Sequence, residues 1–203
     1  MILSNVEIHN ALDRKWLIIE PEPSPRDLRQ GQECPYQTSS VDLTLGDEVS
    51  YFTDKKPPVN IDLRKGKFVD LFLPYAKTVT ISEEQPFILR PEKLILAKTR
   101  EKVTFPLLDK PPCLAARIEG KSSYARCGLL VHFTAPTIHA GFSGTITLEL
   151  INFGPLDISL FPGMPICQLI VEQVHGVPFR NDSQFQGQQL AGGIAESKKN
   201  GPS

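Results

Sequence analysis

From Ser40 onward the chain is a succession of short runs rich in Val, Ile, Leu, Thr and Phe, each ended by a Gly, Pro or Asp turn. No other feature limits the fold as much. Runs this short suit strands of a sandwich, jelly roll or barrel. Predicted strands cover Val41–Leu45, Thr78–Ile81, Phe87–Leu89, Leu94–Thr99, Thr145–Ile151 and Ile166–Val171. Long helical periodicity is missing, which argues against a parallel α/β sheet. One short helix is expected at the start, where Ser4 and Glu7 have capping-box spacing and Ile8, Ala11 and Leu12 fall on one face. The Pro-rich stretch Glu20–Pro25 ends it. After Gly176 the chain turns to Gln, Gly, Ser, Asn and Lys, too polar to bury the surface that would order it. The expected organisation is a mainly β domain over 1–175 and a flexible tail over 176–203.

Charge narrows the partners. Lys plus Arg number 22 against 23 Asp plus Glu, so no global field draws in nucleic acid or an anionic membrane. A bound anion must meet a local cluster of donors. No apolar run approaches the ~18 residues of a membrane span, and no signal peptide precedes the first periodic segment. A cytoplasmic protein is expected. Cys34, Cys113, Cys127 and Cys167 are scattered, without the paired spacing of a zinc site or redox dithiol.

Several familiar chemistries fail on the residues. None of the four histidines has Glu two positions on, and Pro112-Cys113 lacks a second cysteine, so the zinc nucleobase-deaminase signature is missing. Glu119-Gly-Lys-Ser122 looks like the end of a P-loop, but Ala115 stands where a glycine is needed and no following helix is predicted. Neither a Gly-x-Ser-x-Gly elbow nor a His-Glu-x-x-His helix occurs.

Three segments carry chemistry. Gly120–Gly128 gathers Lys121, Ser122, Ser123 and Arg126 between glycines, donors suited to a polyphosphate or to a solvated loop. His132–Phe142 packs backbone groups, a ring and an imidazole into a turn that suits a base and sugar, or a core. Thr145–Ile151 places Thr147, Glu149 and Ile151 on one strand face and Ile146, Leu148 and Leu150 on the other. Glu149 is either solvent-facing or buried in a site, where desolvation would raise its pKa into the range of a proton shuttle.

Taken in order, these segments resemble the dCTP deaminase/dUTPase superfamily. Ser39–Gly46 is similar to its first motif, Gly120–Gly128 to the phosphate-binding second and Thr134–Gly144 to the third, which holds base and sugar. Phe161–Ile170 resembles the fourth motif, and Phe185–Gln188 the tail that covers the nucleotide. The resemblance implies a distorted β-barrel or jelly roll of the dUTPase-like (β-clip) kind, assembled as a homotrimer with sites at subunit boundaries. It implies dCTP or a related deoxycytidine nucleotide as substrate, with Mg²⁺ held by the triphosphate, no protein metal site and no zinc. Lys121, Ser122, Ser123 and Arg126 would hold the phosphates. Backbone of the Ala135–Ile138 turn, Thr137 included, would read the cytosine edge, with His139 near the sugar hydroxyl and Phe142 against the deoxyribose. Thr147 shares the face of Glu149 and joins the substrate-binding set, while Gln168, Gln184 and Gln188 would complete the pocket.

Leu148-Glu149 favours the deaminase branch, in which this Glu takes a proton from water as it attacks C4 and passes one to the leaving amine. Hydrolytic deamination of dCTP to dUTP and ammonia is the expected reaction. A dUTP diphosphatase, a bifunctional dUMP-forming enzyme and a non-catalytic nucleotide-binding homologue are the alternatives. Three positions depart from the pattern: His139 stands for Asp, Thr137 for the Arg of bacterial deaminases, and Gln184 for a tail Lys.

Overall fold

The computed structural model describes residues 1–28, 33–53, 62, 64, 75–110, 112–132, 134–179, 187 and 189. Helix α1, Asn5–Asp13, forms at the predicted place. Ser4 Oγ accepts from Glu7 N at 3.3 Å, satisfying one of the orphan donors of the first turn. Ile8, Ala11 and Leu12 are its buried residues.

Twelve strands follow among the described residues: β1 Ile18–Glu20, β2 Tyr36–Gln37, β3 Ser40–Phe52, β4 Ala76–Thr80, β5 Phe87–Leu89, β6 Leu94–Thr104, β7 Cys113–Gly120, β8 Leu129–Val131, β9 Thr137–Ile138, β10 Ser143–Asn152, β11 Ile158–Leu160 and β12 Pro165–Val174. Every predicted run falls in or overlaps one of them, and the mainly β expectation with an N-terminal helix holds. The largest miss is β7. Its Ala, Arg and Glu residues carry little strand propensity, but eight consecutive pairings with β12 fix it as a strand.

The main sheet runs β8-β10-β6-β3-β12-β7-β9, with β1 added on β6 and β2 and β4 on β3, while β5 and β11 form a separate ladder. Strands β8 and β9 lie at opposite ends of that order, yet only residues 132–136 join them. The sheet must curl to bring its ends together. Its inner face carries fully buried Leu43, Leu45, Ile118, Ile146, Leu148 and Leu150, and Phe105, just past β6, and Leu89 of the β5–β11 ladder are buried in the same core.

Two irregularities shape the outer face. The β10–β6 register slips between Thr145 and Thr147, and the β3–β6 register slips between Leu45 and Val49. Such bulges re-aim side chains and leave an amide without a ladder partner. Here Thr99 resolves it: its buried hydroxyl accepts from Ile146 N at 2.9 Å and donates to Glu101 O at 2.7 Å. Among the described residues no helix is long and apolar enough to cross a membrane.

Candidate active site

Strand β10 alternates strictly between half-buried and buried positions, so Ser143, Thr145, Thr147, Glu149 and Ile151 share the outer face. The Glu149 side chain keeps 34% of its surface, between the two environments the sequence allowed. Its partner was not foreseen. His132 leaves β8 with φ 55°, a left-handed conformation that disfavours side-chain-bearing residues. Its amide donates to Glu149 O at 2.8 Å, and its Nδ1 lies 2.7 Å from Glu149 Oε2. The close approach lacks hydrogen-bond alignment, and neither imidazole nitrogen has a hydrogen-bond partner among the described residues. The ring is buried, as is Thr147 Oγ1 on β10, which has no hydrogen-bond partner among the described residues. A carboxylate and an imidazole therefore meet here, with the Thr147 hydroxyl two residues along the same strand face.

The third-motif segment divides. Ala135, Thr137 and His139 are exposed, whereas Ile138 and Phe142 belong to the core. Thr137–Ile138 forms β9 on β7, and Pro136 O accepts from Ile118 N at 2.9 Å, so part of this turn's backbone serves the ladder. Phe142 is anchored by Phe105 N donating to its carbonyl at 2.9 Å. Thr137 lies directly across from Arg117, whose guanidinium is 3.3 Å from Glu172.

In the second-motif segment a single helical turn, α2 Ser122–Ala125, follows Lys121, where none was predicted. The turn forms because the chain must reverse between β7 and β8, and Tyr124 N and Ala125 N both donate to Lys121 O at 3.0 Å. Ala115 lies inside β7, which keeps a P-loop excluded. Ser122, Ser123 and Arg126 are exposed. Lys121 is bonded to buried Asp42 Oδ2, and Gln168 Nε2 donates to Asp42 Oδ1 at 3.1 Å. Sequence reading picked out Lys121 and Gln168 but passed over Asp42, although it stands in the first motif. Burial pushes the thiol of Cys167, beside them, far above the usual range. Burial likewise raises the Glu101 carboxyl, although it accepts from Thr44 N at 2.9 Å and Thr44 Oγ1 at 2.6 Å.

A cleft of about 310 Å³ opens at the bulges, lined by residues such as Gly46, Lys98, Arg100, Thr145 and Gly163, and none of the predicted site residues lines it. Gln184 and Gln188 lie outside the described residues. Of their neighbours, Gly187 N donates to Ser143 O at 2.9 Å, and Gln189 O accepts from Lys98 Nζ at 3.2 Å. Among the described residues no group of His, Cys, Asp or Glu forms a metal cluster.

Comparison with known proteins meets this geometry. The family model described as dCTP deaminase-like matches residues 2–174. A protein of Methanosphaera stadtmanae named dCTP deaminase, dUMP-forming, is 34% identical over 198 residues, covering 92% of this chain and 89% of its own. One of the same name from Dictyoglomus turgidum is 38% identical over 169 residues, covering 83% and 78%. The crystal structure of 2'-deoxycytidine 5'-triphosphate deaminase from Agrobacterium tumefaciens superposes with a TM-score of 0.58 at 19% identity, over 86% of this chain and 48% of that one. This chain thus spans about half the length of that protein, and the likeness supports the fold alone. With the model matching all of α1 and β1 to β12, and relatives at 34% and 38% identity over most of the chain, the protein belongs to the dCTP deaminase-like family.

Proposed function

We propose that this chain hydrolytically deaminates dCTP to dUTP and ammonia, on the route to dUMP. The observation that carries the reading is Glu149 on the outer face of β10 with its carboxylate against buried His132. Glu149 takes a proton from water as the oxygen attacks C4, and returns one to the departing amine. The buried His132 ring, just past β8, lies against the carboxylate and limits the positions it can take before reaction. Lys121, Ser122, Ser123 and Arg126 hold the triphosphate, whose Mg²⁺ is carried by the phosphates. Exposed Ala135, Thr137 and His139 flank the base and sugar, and the tail from 176 onward, through Gln184 and Gln188, covers the site. A coupled ammonia assay across cytosine nucleotides tests the reading, and dCTP binding without ammonia release would overturn it.

A second reading, in which the same chain carries dUTP on to dUMP, is favoured by the name dUMP-forming on both relatives. Pyrophosphate release alongside ammonia is its measurement. His139 is exposed at the position where the superfamily resemblance implies an Asp. An imidazole can bond a sugar hydroxyl but supplies no fixed negative charge to activate water. His139→Asp is therefore expected to retain ammonia release and to raise pyrophosphate release. Equal pyrophosphate release in both proteins would make His139 a bystander.

The site is shared between subunits of a cytoplasmic homotrimer in this reading. Glu149 and Thr147 lie on β10 and Lys121 follows β7, on separate parts of the curled sheet, and Glu149 remains a third exposed within one chain. Light scattering after size exclusion is expected to give about three times the 22.6 kDa chain mass. A monomer at micromolar concentration would sink the shared-site arrangement.

A further inference from the structure

Asp42 is nearly fully buried at 7% exposure, on a stretch of β3 with β12 on one side and the β2 segment on the other, where its amide donates to Pro35 O at 2.8 Å. It stands directly across from Gln168 of β12, which in turn stands across from Glu119 of β7. Cross-strand partners share a sheet face, and Lys121 comes two residues after Glu119 on that face. Both carboxylate oxygens are used: Oδ2 by the Lys121 ammonium and Oδ1 by Gln168 Nε2 at 3.1 Å, while Gln168 also reaches Ser40 Oγ at 3.3 Å. One buried acid of β3 thus joins Gln168 of β12 to Lys121, the first residue after β7, at the foot of the Gly120–Gly128 loop.

We infer that Asp42 is a positioning residue for polyphosphate, acting through Lys121. A lysine stem has many rotamers, and fixing them costs free energy on each binding event. Asp42 fixes the stem beforehand. An ammonium has three donors, so one bond to Asp42 leaves two for phosphate oxygens. The carboxylate cannot follow the ligand outward, because Gln168 and the flanking strands hold it. Lys121 therefore presents a fixed point charge to a ligand that Arg126, exposed and planar, grips more adaptably.

The inference rests on reading Gly120–Gly128 as a phosphate loop, but not on deaminase chemistry, and its test separates the two. Inorganic tripolyphosphate is the probe, with calorimetry on wild type, Asp42→Asn, Lys121→Met and the double variant. Loss of one charge-assisted hydrogen bond predicts about tenfold weaker binding for Asp42→Asn. If Asp42 works only through Lys121, the double variant binds no more weakly than Lys121→Met alone. With dCTP, Asp42→Asn is expected to raise KM about tenfold with kcat changed less than about twofold, a split that general loosening of the fold would not give. Wild-type tripolyphosphate binding by Asp42→Asn, or losses that multiply in the double variant, would overturn the inference. Should Asp42→Asn fail to fold, Asp42→Glu carries the same cycle. It keeps the charge but displaces the ammonium, so a few-fold loss is expected that disappears in the Lys121→Met background. Its persistence there overturns the inference equally. Absence of ammonia release from a protein that passes this cycle would sink the deaminase reading and leave the role of Asp42 standing.

Discussion

Glu149→Gln is expected to lower ammonia release from dCTP by at least about 10²-fold while leaving nucleotide affinity and assembly near wild type. General acid–base catalysis by a placed side chain contributes ~10²–10⁴-fold, and here one carboxylate serves both water attack and amine departure. The amide keeps the volume of the acid and its capacity to accept from donors, but it cannot take up the proton. Stability has little reason to change, since Glu149 lies on the outer face of β10 and its ladder bond from His132 N goes to the backbone carbonyl, which the substitution leaves in place. Calorimetric dCTP binding beside the ammonia assay separates binding from chemistry. Near wild-type turnover in the variant would end the mechanism.

The phase of Glu149 was legible in the sequence because a strand repeats every two residues. Once Thr145–Ile151 is a strand, Thr147 and Glu149 must share the face opposite Ile146, Leu148 and Leu150, as they do. Its neighbour was not legible. His132 reaches Glu149 only because β8 pairs with β10 and then turns left-handed at φ 55°, and no glycine or asparagine announces that turn. The same limit applies at Lys121. Local composition marks it as a phosphate donor, but the acid that holds it lies 79 residues earlier and comes near only through the β3–β12–β7 ladder. Strand β7 itself was missed for a related reason, since its pairing with β12 and not its own residues makes it a strand. Periodic, local features could be read; contacts made by sheet order could not.

A second large effect is expected at Gly154, far along the chain from the phosphate loop. Gly128, the last residue of that loop, has φ +92°, and a Cβ on it would lie 2.2 Å from Gly154 N. Conversely, a Cβ on Gly154 would lie 2.3 Å from Cys127 O. Backbone here rests directly on backbone, and Phe153 N donates to Gly128 O at 2.8 Å to close the contact. The Gly154 side cannot yield. Its amide donates at 2.8 Å to Oδ1 of fully buried Asn152, whose Nδ2 donates to Leu89 O at 3.0 Å and Leu156 O at 2.8 Å. In Gly154→Ala the new methyl must therefore displace Cys127 and Gly128, and with them the turn that carries Ser122, Ser123 and Arg126. Overpacking of this kind costs ~1–3 kcal/mol, or roughly 2–12 °C in Tm for a chain of this size. Binding should suffer more than folding, because misplacing ligand groups by about 1 Å can cost on the order of 10²-fold. KM for dCTP is expected to rise at least about tenfold at a temperature where the variant is fully folded by thermal melt. Wild-type KM and Tm together would mean that the loop and the β10–β11 turn are not in contact, and that the phosphate loop is held in place by some other part of the fold.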